Sequence, residues 1–115
     1  MNILYGIKNC DTVKKARNWL DQNAIAYRFH DYRSDGVTPD LIRHFAEMSD
    51  WKILLNKSSA SWRQLGEPEK ADMTEDKAVQ LMLKTPTIIK RPVLDTGNKV
   101  IVGFKDETYQ RELNR

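Results

Sequence analysis

Between Ile3 and Tyr32 the sequence predicts a strand, a helix and a second strand in direct succession. The apolar run Ile3-Leu4-Tyr5 indicates a strand, which ends at a glycine and a polar turn. Over residues 11–23, apolar side chains recur at helical spacing, and residues 26–32 alternate and are rich in aromatics, as a second strand would be. Because parallel strands need a crossover of this kind, the pattern favours an α/β fold built on a βαβ unit.

The middle of the chain is predicted to be helical. Thr38-Pro39-Asp40 is typical of a helix start, because threonine caps, proline suits the first helical position and aspartate complements the helix dipole. The buried stripe of this helix is expected to be Leu41, Phe45 and Met48. A short helix over residues 51–55, a polar loop over 56–61 and a longer helix opened by Thr74-Glu75-Asp76 follow.

A hairpin and a last helix are predicted after Pro86. Val93-Leu94 and Val100-Ile101-Val102 flank the turn Thr96-Gly97-Asn98-Lys99, and residues 106–113 form an amphipathic helix. The sequence shows no internal repeat and no linker, so residues 1–115 are expected to form one domain.

Composition narrows the class of protein. The chain has 115 residues and one cysteine, which excludes an intramolecular disulfide and favours the reducing cytoplasm. The first residues lack the pattern of a signal peptide and no apolar run is long enough to cross a membrane, so neither feature is expected. The net charge of +3 comes from interspersed charges without a nucleic-acid-binding signature. We therefore expect a monomer with no nucleic acid, membrane or metal partner, and with an anionic small-molecule ligand.

Cys10 lies in the predicted loop between the first strand and the first helix, at the carboxyl edge of the sheet where ligands usually bind. Unpaired N–H groups and the positive end of the helix dipole stabilise a thiolate there, and Lys8, Lys14 or Lys15 can add positive charge. The alternative is a small, inert, buried cysteine. The polar neighbours Asn9, Asp11 and Thr12 favour the reactive interpretation, although Thr12 can also act simply as a cap.

The sequence resembles the ArsC/Spx family, particularly its YffB-type members, nearly from end to end. The matching runs are Tyr5-Gly6-Ile7-Lys8-Asn9-Cys10-Asp11-Thr12-Val13-Lys14-Lys15-Ala16, Tyr27-Arg28-Phe29-His30-Asp31-Tyr32-Arg33, Leu54-Leu55-Asn56, Ser61-Trp62-Arg63, Pro86-Thr87-Ile88-Ile89-Lys90-Arg91-Pro92 and Gly103-Phe104. The resemblance implies a thioredoxin-like fold with an inserted helical region, and thiol chemistry coupled to glutathione and glutaredoxin.

The resemblance also assigns roles to Arg91 and Pro92. Arg91 would be the anion-binding arginine beside the thiol, since its planar fork of donors suits a carboxylate or an oxyanion. Pro92 would be the cis-proline that faces the cysteine in thioredoxin-like folds. The alternatives are a surface salt bridge for Arg91 and a trans-proline opening an edge strand for Pro92.

The sequence departs from the arsenate-reducing members at several positions. Those members carry a histidine where this chain has Gly6, and two further arginines. The only cations near the position of one of these arginines are Lys57 and Arg63, and Lys105 is the cation near the other. Val13 stands where members with a Cys-x-x-Cys pair have their second cysteine, so an external thiol must resolve any mixed disulfide.

Three functions follow from these observations. The first is a glutathione-dependent thiol oxidoreductase with Cys10 and Arg91 as catalytic residues, no bound cofactor and glutathione as co-substrate. The residues expected to bind glutathione or substrate are Lys8, Asn9, Thr12, Lys57, Arg63, Arg91 and Pro92. The second is an arsenate reductase coupled to glutaredoxin. The third is a non-enzymatic regulator like Spx, which contacts RNA polymerase.

Overall fold

A computed structural model describes residues 1–114. The strands and helices, in chain order, are β1 (Ile3–Gly6), α1 (Asp11–Gln22), β2 (Arg28–Asp31), α2 (Tyr32–Asp35), α3 (Pro39–Met48), α4 (Trp51–Leu54), α5 (Ala60–Arg63), α6 (Glu67–Lys70), α7 (Glu75–Lys84), β3 (Val93–Asp95), β4 (Val100–Val102) and α8 (Asp106–Glu112), with a 3-10 turn at Pro86–Ile88 before β3. The chain divides into two compact units, of which the first comprises Met1–Gly36 and the chain from Arg91 onward, and the second Val37–Lys90.

The first unit contains a four-stranded sheet in the order β2-β1-β3-β4. β1 is parallel to β2 and antiparallel to β3, and β3 and β4 form the predicted hairpin. This mixed α/β sheet, with a helical segment between its βαβ and ββα parts, confirms the predicted thioredoxin-like fold class. The strand predicted over residues 26–32 is shorter, because Asp31 already caps the unpredicted turn α2 by accepting a hydrogen bond from the Arg33 N–H at 2.8 Å.

One face of the sheet packs on α1 and α8. Its core includes Leu4 from β1, Leu20 from α1 and Tyr109 from α8, all fully buried. Tyr109 also makes edge-to-face ring contacts with Trp19 and Phe104, at centroid distances of 5.5 and 4.7 Å. These contacts fix α1 on the sheet, and α1 carries the loop that contains Cys10 at its N-terminus.

The second unit is helical, as expected for the inserted region. Thr38 and Thr74 cap α3 and α7 with their hydroxyl oxygens, each accepting an N–H bond at 3.2 Å. The predicted stripe of α3 was wrong in part, since Phe45 is buried together with Ile42 and Ala46, whereas Met48 is 40% exposed. Residues 56–61 are not wholly a loop, because Ser59 caps the short helix α5. Within residues 1–114 no helix is long and apolar enough to span a bilayer.

Candidate active site

The parallel pairing of β1 and β2 brings two chain segments to one edge of the sheet in the first unit. Gly6, the last residue of β1, pairs with Asp31, the last residue of β2. The chain therefore leaves both strands at the same edge, on one side toward Cys10 and on the other toward Tyr32. This is the carboxyl edge of the parallel pair, where open α/β sheets usually bind ligands.

The antiparallel strand β3 brings Arg91 and Pro92 to the same edge. Tyr5 of β1 pairs with Val93, the first residue of β3, so the two residues before Val93 lie beside the end of β1. The peptide bond between Arg91 and Pro92 is cis, as the resemblance implies. Pro92 is buried and its carbonyl accepts the Gly103 N–H at 2.7 Å, while Arg91 is half-buried. Backbone topology thus places Arg91 and the Cys10 loop at one sheet edge.

Cys10 is the N-cap residue of α1. Its backbone is extended (φ −134°, ψ 122°), and its carbonyl accepts the Lys14 N–H at 3.0 Å. The half-buried thiol makes no capping hydrogen bond, unlike the side chains of Thr38 and Thr74 at their helices. Because a thiol is a weak acceptor, it leaves the first-turn N–H groups of a 12-residue helix without a side-chain partner from the cap. Their partial positive charge favours an anion or a thiolate at this position.

The other residues predicted around the thiol lie on the same loop and first turn. Lys8 and Asn9 are exposed in the loop, and Thr12 is exposed in the first turn of α1. The N-cap is Cys10 rather than Thr12, so the capping alternative for Thr12 is wrong. Their roles toward a ligand remain predictions.

Gly6 and Val13 are packed tightly against each other where β1 meets α1. A Cβ atom built on Gly6 would lie 2.8 Å from Val13 Cγ2 and 3.4 Å from Val13 Cγ1. Carbon atoms normally approach to about 3.5–4.0 Å, so a side chain at position 6 does not fit beside Val13. Gly6 and Val13, two of the positions at which this chain departs from other family patterns, are therefore in direct steric contact.

An aromatic cluster, which sequence reasoning missed, lies at the ends of β1 and β2. Tyr5 is 4.8 Å from the His30 ring and is stacked 6.3 Å from Tyr32. A ring nitrogen of His30 also bonds the Gly36 carbonyl at 2.8 Å. The signal that could have identified these side chains in the sequence is their position at the carboxyl ends of two predicted parallel strands. No group of three or more metal-binding side chains occurs within residues 1–114.

Tyr32 lies within the electrostatic influence of Arg91. Burial raises the pKa of the Tyr32 phenol, the neighbouring Tyr5 raises it further, and the positive charge of Arg91 opposes both. The net direction is upward, so the phenol keeps its proton well beyond neutral pH. Tyr32 is thus a neutral hydrogen-bond donor at neutral pH.

Lys57 and Arg63 lie in the second unit. The Lys57 ammonium is 5.6 Å from the centroid of the Trp62 ring, a cation–π contact, and Lys70 makes a similar contact with the same ring at 5.6 Å. Arg63 is exposed in the last turn of α5. The Trp62 contact explains the local position of Lys57, whereas the predicted role of Lys57 and Arg63 in binding glutathione or substrate stays a prediction.

Comparison with known proteins gives consistent matches along the chain. The family model described as ArsC family matches residues 5–111. The solved structure of a YffB protein is 46% identical with a TM-score of 0.93, covering 96% of this chain and 97% of its own. An arsenate reductase (ArsC) related protein from Brucella melitensis is 39% identical with a TM-score of 0.79, covering 99% and 95%. An uncharacterized protein of Haemophilus influenzae is 40% identical over 110 residues, 96% of each chain.

Proposed function

Because the chain belongs to the ArsC family, we propose that it is a thiol oxidoreductase in which Cys10 is the nucleophile and glutathione is the reductant. The observation that carries this proposal is the position of Cys10 at the N-cap of α1, with Arg91 at the same sheet edge. A thiol at a helix N-terminus is held in an electropositive setting, which favours the reactive thiolate. A free thiol of this kind works in a reducing compartment, so the proposal includes a cytoplasmic location.

The proposed reaction is two successive thiol–disulfide exchanges. The Cys10 thiolate attacks one sulfur of a disulfide substrate, the substrate S–S bond breaks, and the other half leaves as a thiolate that takes up a proton. A glutathione thiolate then attacks the mixed disulfide on Cys10, which restores the Cys10 thiolate and releases a disulfide containing glutathione. Since Val13 replaces a second cysteine, the external thiol is required for the second exchange.

The charged and polar neighbours of Cys10 orient the anionic glutathione in this proposal. Arg91 offers two parallel N–H donors to a carboxylate, and Lys8 adds an unrestrained positive charge at the loop. The N–H groups at the start of α1 stabilise negative charge on the sulfur atoms during exchange. Asn9 and Thr12 supply hydrogen-bonding groups on the same loop and first turn.

A Cys10→Ser variant tests the nucleophile directly. We expect it to lose glutathione-dependent reduction of a small disulfide, measured as formation of the mixed disulfide between glutathione and the substrate half. Because the sequence has one cysteine, any substrate half found disulfide-linked to the wild-type protein by mass spectrometry must be on Cys10. Equal turnover by wild type and Cys10→Ser would refute the proposal.

Arg28 provides the control for Arg91. It is exposed at the start of β2, whereas the edge that carries Cys10 and Arg91 lies at the other end of that strand. Arg91→Met is expected to raise the apparent KM for glutathione about tenfold or more, the effect of losing a charge-assisted hydrogen bond. Arg28→Met removes the same charge and is expected to leave KM within about twofold, because exposed and distant charges are screened. Equal effects of the two variants would show a general charge effect instead of a binding site.

Arsenate reduction coupled to glutaredoxin is a second candidate, supported by the 39% identity to a protein described as related to arsenate reductase. The position of the histidine in arsenate-reducing members is here Gly6, and Val13 leaves no space for a side chain there. Arsenate-dependent oxidation of glutathione in the presence of glutaredoxin decides this candidate. Turnover no higher than that of Cys10→Ser would eliminate it and leave disulfide reduction untouched.

A further inference from the structure

The hydroxyl group of Tyr32 is buried without a hydrogen-bond partner. The residue is 5% exposed, and its phenol oxygen has no partner within residues 1–114. Hydroxyl groups are nearly always paired when buried, because an unpaired one loses its bonds to water and gains nothing in return. Tyr32 therefore carries a donor that the described part of the chain does not use.

The position of Tyr32 connects this donor with the candidate active site. Tyr32 directly follows Asp31, which pairs with Gly6 at the end of the strand that leads to Cys10. Its ring stacks on Tyr5, which pairs in turn with the residue after Pro92. Arg91 stands two residues before Val93 and so lies at the same edge of the sheet, and its positive charge opposes the rise in the pKa of the phenol.

Tyr109 is a second buried tyrosine, and its surroundings differ from those of Tyr32. Its hydroxyl is also unpaired within the described residues, and the residue is fully buried. Its ring, however, lies in the apolar core between α1, α8 and the sheet, and burial alone raises the pKa of its phenol. Tyr109 has a packing role, so it provides a matched control for Tyr32.

We propose that the Tyr32 hydroxyl is a ligand-binding group that donates a hydrogen bond to an anionic oxygen held by Arg91. The proposal deepens and rests on the proposed function, because it names a further residue of that site. A carboxylate of glutathione and an oxygen of arsenate share the required chemistry, an acceptor with negative charge. A neutral phenol and a guanidinium at one edge of the sheet suit such an oxygen, since the cation attracts the charge and the phenol adds a directional bond.

The experiment compares Tyr32→Phe with Tyr109→Phe. Both variants keep the ring and remove an unpaired hydroxyl, so both are expected to unfold at urea concentrations no lower than wild type. Tyr32→Phe is expected to raise the apparent KM for glutathione about tenfold with little change in kcat, as expected for a lost bond to a charged group. Tyr109→Phe is expected to leave KM within about twofold. An unchanged KM in Tyr32→Phe, or an equal rise in both variants, overturns the glutathione form of the proposal.

A second measurement separates the two ligand sources and does not depend on turnover. In Cys10→Ser protein with labelled tyrosine rings, titration with reduced glutathione and separately with arsenate is expected to shift the Tyr32 resonances and not those of Tyr109. A response to glutathione alone identifies the carboxylate, and a response to arsenate alone identifies the oxyanion. If neither titration shifts the Tyr32 resonances, the proposed binding role of Tyr32 is wrong, even if the wild-type protein turns over glutathione. If wild type lacks glutathione turnover while arsenate shifts Tyr32, the proposed function fails and the Tyr32 site stands.

Discussion

Replacing Gly6 by alanine tests how tightly Gly6 packs against Val13. The added Cβ would lie 2.8 Å from Val13 Cγ2, about 0.7 Å closer than the short end of normal carbon contacts. Val13 is fully buried, and a valine in a helix is largely restricted to one rotamer, so it cannot turn away at low cost. We therefore expect Gly6→Ala to force a shift of α1 relative to β1.

The magnitude follows from two opposing effects. Overpacking in a close-packed core typically costs about 1–3 kcal/mol. Against this, alanine reduces the conformational freedom of the unfolded chain relative to glycine, a gain of about 0.4–1 kcal/mol. From the midpoints of these ranges, about 2 and about 0.7 kcal/mol, Gly6→Ala is expected to lower the free energy of unfolding by about 1.3 kcal/mol, measured by urea unfolding at constant pH.

A double-mutant cycle distinguishes the contact from a general effect of alanine in β1. Val13→Ala by itself removes two buried methyl groups and is expected to cost about 2–3 kcal/mol. In the double variant the new methyl at position 6 occupies space that Val13 has vacated, so its loss is expected to be smaller than the sum of the single losses by about 1–2 kcal/mol. Additive losses, or a Gly6→Ala protein as stable as wild type, would refute the steric reasoning.

Three further predictions concern the site, the helix caps and alkaline pH. Gly6→His is expected to lower the free energy of unfolding in urea more than Gly6→Ala does, and Val13→Ala is expected to restore part of the lost stability. An equal restoration by Leu20→Ala, a core substitution away from position 6, would contradict this. Thr38→Ala and Thr74→Ala each remove a capping bond of 3.2 Å and are expected to cost about 1 kcal/mol of unfolding free energy, whereas Thr96→Ser keeps its hydroxyl and serves as control. Burial raises the pKa of Tyr5, Tyr32 and Tyr109 above the ordinary 10.0, so the folded state holds these phenol protons more tightly than the unfolded chain. The stability that these protonated phenols contribute is complete below about pH 10 and is lost as pH rises through the folded pKa values. Urea midpoints are therefore expected to fall above about pH 10. They are expected to fall less steeply in the double variant Tyr32→Phe/Tyr109→Phe. A midpoint independent of pH in that range would show that the phenols are not protected.

The glutathione-linked function gives Arg91 and Tyr32 complementary roles. Arg91 supplies a permanent charge, and Tyr32 supplies a neutral donor whose proton is retained because the ring is buried. Neither group needs to change its protonation state during exchange, since the proton and the negative charge that move belong to sulfur. The variants Arg91→Met and Tyr32→Phe are therefore expected to affect binding of glutathione more than the pH dependence of the exchange.

Local features of the chain were predictable because their causes are local. The helix α1, the caps Thr38 and Thr74 and the hairpin around Gly97 are determined by spacing, capping chemistry and turn residues within a few positions. The order of these segments predicts a βαβ unit, and that topology places Cys10 at the carboxyl edge of the sheet. The resemblance implied the cis bond before Pro92, which the structure contains.

The buried face of α3 shows where local reasoning ends. Both Leu41-Phe45-Met48 and Ile42-Phe45-Ala46 have helical spacing, and they differ by a rotation of about one residue. Only the helices that pack on α3 select between them, and in the structure Ile42 and Ala46 are buried while Met48 is 40% exposed. Spacing within one helix holds no information about its neighbours.

The sequence by itself determined the α/β class and the position of Cys10 at the start of a helix, because both follow from periodicity and order along the chain, and the family resemblance added the thioredoxin-like fold. Tertiary structure decided which residues share the sheet edge with Cys10. Strand register brings Gly6 beside Asp31 and Tyr5 beside Val93, and so gathers Arg91 and Tyr32 at the edge that Cys10 occupies. The contact between Gly6 and Val13 likewise exists only once α1 has packed on β1. Distances between residues far apart in sequence depend on register and packing, which no single segment specifies.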